Sequence, residues 1–357
     1  MRITNPQVKK LLEKYKQISL LRRSLAVLDW DLSVNLPPKA SEGRANQIAY
    51  LTELTTDKWL DPEFRGLLEE ASKEKSLNLE EKAIVRNLQY SGKYYFRIPK
   101  EIVIETSRTT SEAFMTWQKA KEENRFRDFA PQLKKIVKLN QIAAEHLGFG
   151  QNPYDALLDL FEPGLTFSFC QKTFQRIQPV LTDTIKKIKK SPIYKEESGL
   201  FDGKFDYPIK DQRQLALFVL KKMDYDLEAG RMDVSAHPFT TTLDYSDVRI
   251  TTRYHKHEFL ESLTSAMHEG GHALHHQGLK EDYKDTPLED SISLAIGESQ
   301  SRFWENQVGR NPEFVKFLTP ILHAFYPEQL DKTNEEMLIK VFNKVRPGPI
   351  RVEADEV

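Results

Sequence analysis

The strongest constraint on this chain is the run His268-Glu269-Gly270-Gly271-His272, which lies inside a long helical pattern and is followed by Glu298-Ser299-Gln300-Ser301-Arg302. Residues four apart on a helix share a face, one turn along. The two imidazoles can therefore close on one metal ion, with Glu269 beside the first of them and facing the same point. A catalytic zinc site needs that set of groups: neutral nitrogen ligands, an open coordination position and a carboxylate to take a proton from water. The pattern points to metal-assisted peptide hydrolysis.

The surroundings strengthen the reading. Seven of the nine histidines fall between His237 and His276, where even scatter would put about one. Phe259, Leu260, Leu263, Met267 and Leu274 have helical spacing, with Glu258 and Glu261 early and Gly278 where a helix would stop. Gly270 and Gly271 each cost about 1 kcal/mol relative to alanine in a helix interior. Close approach of backbone, substrate or a neighbouring helix would give a reason for the pair.

Two histidines do not complete a catalytic zinc site, which usually has three protein ligands. Glu298 is the leading candidate for the third. It opens a second helical pattern, Glu298 to Gln307, reached through a loop around Asp282 to Pro287 that could return the chain against the first helix. The plainer reading is that Glu298 favours a helix amino terminus. Arg302, one turn on, could pair with a carboxylate or an anionic substrate group. His272 and His276 form a rival pair, but Ala273 then occupies the position of the base. His268 and His276 are about 12 Å apart along the axis, too far to share an ion. His275 and His276 read as surface or supporting residues.

Balanced charge, with 52 basic and 53 acidic side chains, offers no general attraction to nucleic acid or anionic membrane. The single cysteine, Cys170, excludes an intramolecular disulfide and fits a reducing compartment. Met1 to Gln17 is charged throughout, without the apolar core of a signal peptide, and no run of about eighteen apolar residues could span a bilayer. The expectation is a soluble, cytoplasmic protein.

Most of the chain reads as helix. Leu11, Leu12, Tyr15, Ile18, Leu21 and Leu25 recur at three- and four-residue steps within 5–28, and amphipathic patterns follow near 40–57, 81–97, 101–123, 128–147 and 168–190. Pro37-Pro38, Pro163-Gly164 and Pro192 punctuate them. With no repeat or linker to mark a boundary, residues 1–357 read as one domain. The exception to helix is 239–254, where Val248, Ile250, Thr252 and Tyr254 alternate with Arg249, Thr251 and Arg253. A strand there could be the edge along which an extended peptide pairs, or an ordinary edge strand with solvated arginines.

Several segments together resemble the carboxypeptidase Taq family of metallocarboxypeptidases. They are Leu28-Asp29-Trp30-Asp31 with Pro37-Pro38 and Glu42-Gly43-Arg44, and Asn152-Pro153-Tyr154-Asp155-Ala156-Leu157-Leu158-Asp159 with Glu162-Pro163-Gly164. Further motifs in the family's order are His237-Pro238-Phe239, Asp247-Val248-Arg249-Ile250-Thr251, the H-E-x-x-H and E-S-Q-S-R runs, and Ile350-Arg351-Val352-Glu353-Ala354-Asp355. The resemblance implies an all-α, zincin-like fold with a deep groove and a small edge-strand region before the metal helix, usually as a homodimer. It implies removal of single residues from peptides with a free carboxyl terminus, with one Zn2+ or Co2+ ion per chain. It carries metal binding onto His268, His272 and Glu298 and the general base onto Glu269. Arg249 and Arg351 become candidates to receive the substrate's terminal carboxylate, a task suited to bidentate guanidinium geometry, and His237 a residue that shapes the site.

Two departures from the family stand out. Gly297 occupies a position where the family typically has histidine, and family members continue beyond this point with more helices and a G-x-x-Q-D-x-H-W motif. Thr333-Asn334-Glu335-Glu336 reads as a capping box opening a helix to about Val345, broken at Pro347-Gly348-Pro349. Ile350 to Val357 then starts a helical pattern too short to hold alone, so the domain is expected to be incomplete at its carboxyl end. The competing expectation to an active carboxypeptidase is a catalytically impaired metal-binding remnant acting as an interaction protein.

Overall fold

The computed structural model describes residues 1–195, 198–290 and 293–345. Arg351 and the Pro347-Gly348-Pro349 break lie outside the described residues. In chain order the helices are α1 (Pro6–Val34), α2 (Ser41–Leu60), α3 (Pro62–Lys73), α4 (Leu79–Arg97), α5 (Lys100–Glu122), α6 (Phe126–Leu147), α7 (Tyr154–Leu158), α8 (Phe167–Lys190), α9 (Pro192–Lys195) and α10 (Ile209–Lys222). Strands β1 (Gly230–Val234), β2 (Thr240–Asp244) and β3 (Asp247–Thr252) follow, then α11 (Leu260–Gln277), α12 (Leu294–Arg302), α13 (Pro312–Phe325) and α14 (Glu335–Phe342). The mainly helical class expected from the sequence is what forms. Among the described residues no helix is long and apolar enough to cross a membrane.

The chain divides into two compact units. The first combines Met1–Phe167 with Thr241–Asp247 and Gly278–Ala295; the second combines Ser168–Thr240, Val248–Gln277 and the described residues from Ile296 onward.

In the first unit, Val8, Leu11, Tyr15 and Ile18 form the buried stripe of α1, in one core with Trp59, Phe64, Leu68, Ile84 and Leu88. Trp59 stacks on Tyr95 at 5.1 Å and meets Tyr15 and Phe64 edge-on. Local capping starts these helices. The Asn5 side chain accepts from the backbone N–H groups of Gln7 and Val8, with Pro6 at the first helical position. Asp61 and Pro62 repeat that device to start α3, a helix the hydrophobic pattern alone did not announce. Asn78 and Glu81 form a capping box on α4, and the buried Glu81 also accepts from Thr4 N at 2.6 Å and Asn5 N at 2.8 Å.

The two short segments in this unit are held by charge. On α1, Arg23 reaches Asp285 at 2.8 Å and Glu289 at 2.6 Å, while the Ser19 hydroxyl donates to Glu289 at 2.8 Å. Lys284 pairs with Asp244 at 2.9 Å, and Asp244 lies 3.8 Å from Arg23. The network therefore ties both 241–247 and 278–295 to one helix.

In the second unit, β1 and β3 run parallel with Arg231 opposite Arg249 and Met232 opposite Ile250. The sheet order is β1-β3-β2. The 239–254 region thus supplies two strands, and the alternating one, β3, is central, while β2 takes an edge. Val248, Ile250, Thr251 and Thr252 are all buried, and the Thr251 hydroxyl is satisfied internally, meeting Ser235 Oγ at 2.7 Å and accepting from Phe239 N at 2.9 Å. Phe201, Tyr207, Phe259 and Tyr326 pack ring against ring in the core shared by α10, α11 and α13. At α14 the cap is Asn334, whose side chain accepts from Met337 N. The expected Thr333–Glu336 box does not form, because the Thr333 hydroxyl donates to Leu330 O and meets His323, and Asn334 caps the helix alone.

Asp244 makes the first unit's stability pH-dependent. Burial alone would raise its pKa, but hydrogen bonds from Lys284 and Ser246 outweigh it and lower the carboxyl from 3.8 to about 2. A depressed carboxyl contributes stability that is complete above the unfolded value and lost as pH falls through the folded one. Asp244→Asn should therefore melt below the parent at neutral pH, the gap closing between 3.8 and about 2. Thermal melts across that range check this; a gap independent of pH would contradict it.

Candidate metal centre

Helix α11 carries the H-E-x-x-H run and buries Leu263, Ala266, Met267 and Ala273. Its two glycines are explained by two different neighbours. A Cβ at Gly270 would lie 2.6 Å from Leu220 Cδ2 and 3.0 Å from Met223 Cε, beside α10. A Cβ at Gly271 would lie 2.7 Å from both Gln300 O and Ser301 Cα, the backbone of α12. Contacts under 3.0 Å to backbone are not sustainable, so only glycine lets α12 come this close.

That approach brings Glu298 to the histidines. His268 Nε2 lies 3.5 Å from Glu298 Oε2, and His272 Nε2 lies 3.6 Å from Oε1. One atom from each of the three residues falls within a 4.8 Å span. Glu298 does not begin its helix: α12 starts at Leu294, so amino-terminal preference does not explain the residue. A divalent ion would suit this donor set, two imidazoles and a carboxylate. The fit is supported by His268, whose Nδ1 is 2.8 Å from Glu305 Oε2. With that nitrogen engaged, Nε2 would be the atom turned to an ion.

Glu269 is only 6% exposed, a depth that distinguishes it from Glu298, whose side chain is 53% exposed. Burial pushes the Glu269 carboxyl up, against the pull of His268, the Thr240 hydroxyl and His272. The Thr240 hydroxyl lies 2.5 Å from Glu269 Oε2. Glu298 is shifted the other way, to about 2, chiefly by the ring of His272. His268 is raised: burial lowers its pKa, but the Glu305 hydrogen bond and the charges of Glu269, Glu305 and Glu298 outweigh that.

Thr240 and Glu305 belong to no motif read from the sequence. Glu305 lies on a π-helical turn, Phe303–Val308, that continues α12. Its seven-residue spacing from Glu298, two helical turns, is the signal that could have found it. For Thr240 the sequence holds no comparable signal. Arg302 pairs with Glu305 at 3.0 Å. Arg249 is half-buried on β3, and His237 sits in the Ser235–Phe239 loop, its carbonyl accepting from Ser235 Oγ at 2.6 Å. Neither is one of the three converging donors, and the same holds for His275 and His276, whose rings contact each other.

Comparison with known proteins gives a consistent result. The sequence profile described as carboxypeptidase Taq (M32) metallopeptidase matches residues 10–357. The chain is 40% identical over 354 residues to thermostable carboxypeptidase 1 of Pyrococcus furiosus, covering 99% of this chain and 70% of that protein. It is 32% identical to carboxypeptidase 1 of Bacillus subtilis, covering 98% of this chain and 69% of the other. Among solved structures, an M32 carboxypeptidase from Deinococcus radiodurans R1 superposes with a TM-score of 0.87 at 31% identity, over 99% of this chain and 70% of that one. The Pyrococcus furiosus carboxypeptidase gives 0.88 at 39% identity, over 97% and 69%.

Two glycine substitutions separate the close approach from helix propensity. Gly271→Ala should cost about 1–3 kcal/mol through overpacking and weaken zinc binding, because α12 must move away from α11. Gly297→Ala should instead gain about 0.5–1 kcal/mol, since a Cβ there meets nothing within 4 Å, and leave zinc affinity unchanged. Melting and zinc competition against a chelator read both effects, and equal behaviour of the two variants would refute the distinction.

Proposed function

The chain belongs to the carboxypeptidase Taq (M32) family of metallopeptidases, and on that premise we propose that it removes single residues from the carboxyl ends of peptides, with Glu269 as general base. The observation that carries this reading is a buried carboxylate, Glu269, beside three converging donors, His268, His272 and Glu298. These three would hold one Zn2+ or Co2+ ion, which would supply the Lewis acidity that acidifies water and polarises a carbonyl.

The protein's own groups do the rest. Glu269 takes a proton from the water that attacks the scissile carbonyl carbon and returns it to the leaving amine nitrogen, so the products are a shortened peptide and a free amino acid. Its burial disfavours the ionised form and so makes the carboxylate a stronger base than a solvated one. The Thr240 hydroxyl, donating to Oε2, fixes its orientation. Arg249 is proposed to receive the substrate's terminal carboxylate, with Arg351 as a second guanidinium and His237 shaping the site. The bidentate geometry of arginine with carboxylates supports the first two roles.

Mass spectrometry of an unblocked peptide incubated with the zinc- or cobalt-loaded protein tests the proposal. A ladder losing one residue at a time from the carboxyl end is expected, with no cleavage of the same peptide amidated at that end. Glu269→Gln keeps an acceptor for Thr240 and all three donors. It should retain metal while slowing turnover by about 10²–10⁴-fold. Metal retained without cleavage by the parent protein would favour the metal-binding remnant instead.

A further inference from the structure

We infer that Glu305 is the positioning residue that fixes the His268 ring for metal binding, through a single hydrogen bond held by the π-helical turn after α12. The inference rests on the metal-site reading above and concerns a residue outside the three donors and the base.

A neutral imidazole carries one N–H, and a carboxylate can only accept. Glu305 Oε2 lies 2.8 Å from His268 Nδ1, so the ring hydrogen is on Nδ1 and the Nε2 lone pair faces Glu298, 3.5 Å away. The other tautomer would present an N–H to the metal and oppose two lone pairs at Nδ1. A carboxylate behind a ligating histidine sets both the tautomer and the ring plane, and it raises the basicity of the ligand nitrogen.

Glu305 is built to stay in place. Its side chain is 9% exposed, and a carboxylate so buried is costly unless it is paired. The same Oε2 that meets His268 accepts from Arg302 Nη1 at 3.0 Å, and Arg310 Nη2 lies 3.9 Å from Oε1. The backbone under it is also specialised. Residues Phe303–Val308 form a π-helical turn, closed by Gly309 N donating to Trp304 O at 2.8 Å. Such single turns are rare and recur at functional sites. A Cβ at Gly309 would lie 2.6 Å from Glu305 O and 3.1 Å from Met267 Cε. Glycine thus lets the turn carrying Glu305 close on Met267, the residue before His268. One continuous helical segment therefore supplies both the proposed third ligand, Glu298, and the carboxylate that sets the first.

The test compares the full chain with Glu305→Gln and Glu305→Asp, the second keeping the charge but shortening the reach, so that a folded variant is available if the first fails to fold. Two readouts are used. Nitrogen-15 NMR of the metal-free proteins, at mildly alkaline pH, reports which ring nitrogen of His268 carries hydrogen. Zinc affinity is measured by competition with a chelator. The parent should show hydrogen on Nδ1, and both variants a mixture of tautomers. Both should bind zinc about 10–100-fold more weakly, with kcat affected more than KM in zinc-saturated enzyme. Retained Nδ1–H together with zinc affinity within twofold of the parent, in either folded variant, would overturn the inference. His272→Ala is the control for the underlying reading. If it binds zinc as tightly as the parent, the metal assignment fails, while the metal-free NMR result still decides whether Glu305 sets the ring.

Discussion

The centre depends on one close approach, that of α12 to α11 at Gly271. The distance left for a Cβ there, 2.7 Å to Gln300 O and Ser301 Cα, is less than any side chain can accept. A glycine in a helix interior sacrifices about 1 kcal/mol of propensity, and the compensation is geometric. Glu298, two residues before Gln300, comes within 3.6 Å of both imidazoles. Seven residues further along the same segment, Glu305 reaches behind the first of them. A side chain at 271 would move the whole rod, and both carboxylates with it.

Segments 241–247 and 278–295 are anchored in the first unit by charge as well as by Leu288, which packs on the core around Trp59. Thr240, which contacts Glu269, is followed directly by 241–247, and Ile296, two residues before Glu298, is preceded by 278–295. Both segments converge on Arg23 through Asp244, Asp285 and Glu289. Arg23 is 14% exposed, and its three carboxylates are between 14 and 20% exposed. Loss of one partner in so sheltered a cluster leaves an uncompensated charge, a larger penalty than for a solvated pair. Within the first unit, both short segments thus share one electrostatic cluster on α1.

The sequence made the parts of the centre that obey helical periodicity legible. Four-residue spacing joined His268 and His272, and the glycine pair correctly demanded close neighbours, now seen to be α10 and α12. What stayed illegible depends on tertiary placement. Leu220 of α10 and Met223 just after it lie against Gly270, a contact that no local spacing encodes. Strand β3 alternates as an edge strand would, but it lies between two others, where Thr251 tolerates burial by bonding its hydroxyl to Ser235 and Phe239. The cap at α14 moved from Thr333 to Asn334 because His323 and Leu330 engage the threonine. Thr240 reaches Glu269 across twenty-nine residues of sequence, a contact no local spacing encodes.

Environment, more than residue type, separates the two glutamates nearest the histidines. Both are carboxylates with the same intrinsic acidity, and both lie near the same imidazoles. Glu269 is buried, which pushes its carboxyl up; Glu298 is half exposed and held down to about 2, chiefly by His272. Carboxyl groups driven apart in this way suit different tasks. A lowered carboxyl suits a donor to a cation, and a raised one suits a proton acceptor. Exchanging the roles would require a buried, basic carboxylate as ligand and a solvated, weakly basic one as proton carrier, each poorer at the other's work. The opposite environments accord with the proposed roles, Glu298 as ligand and Glu269 as base.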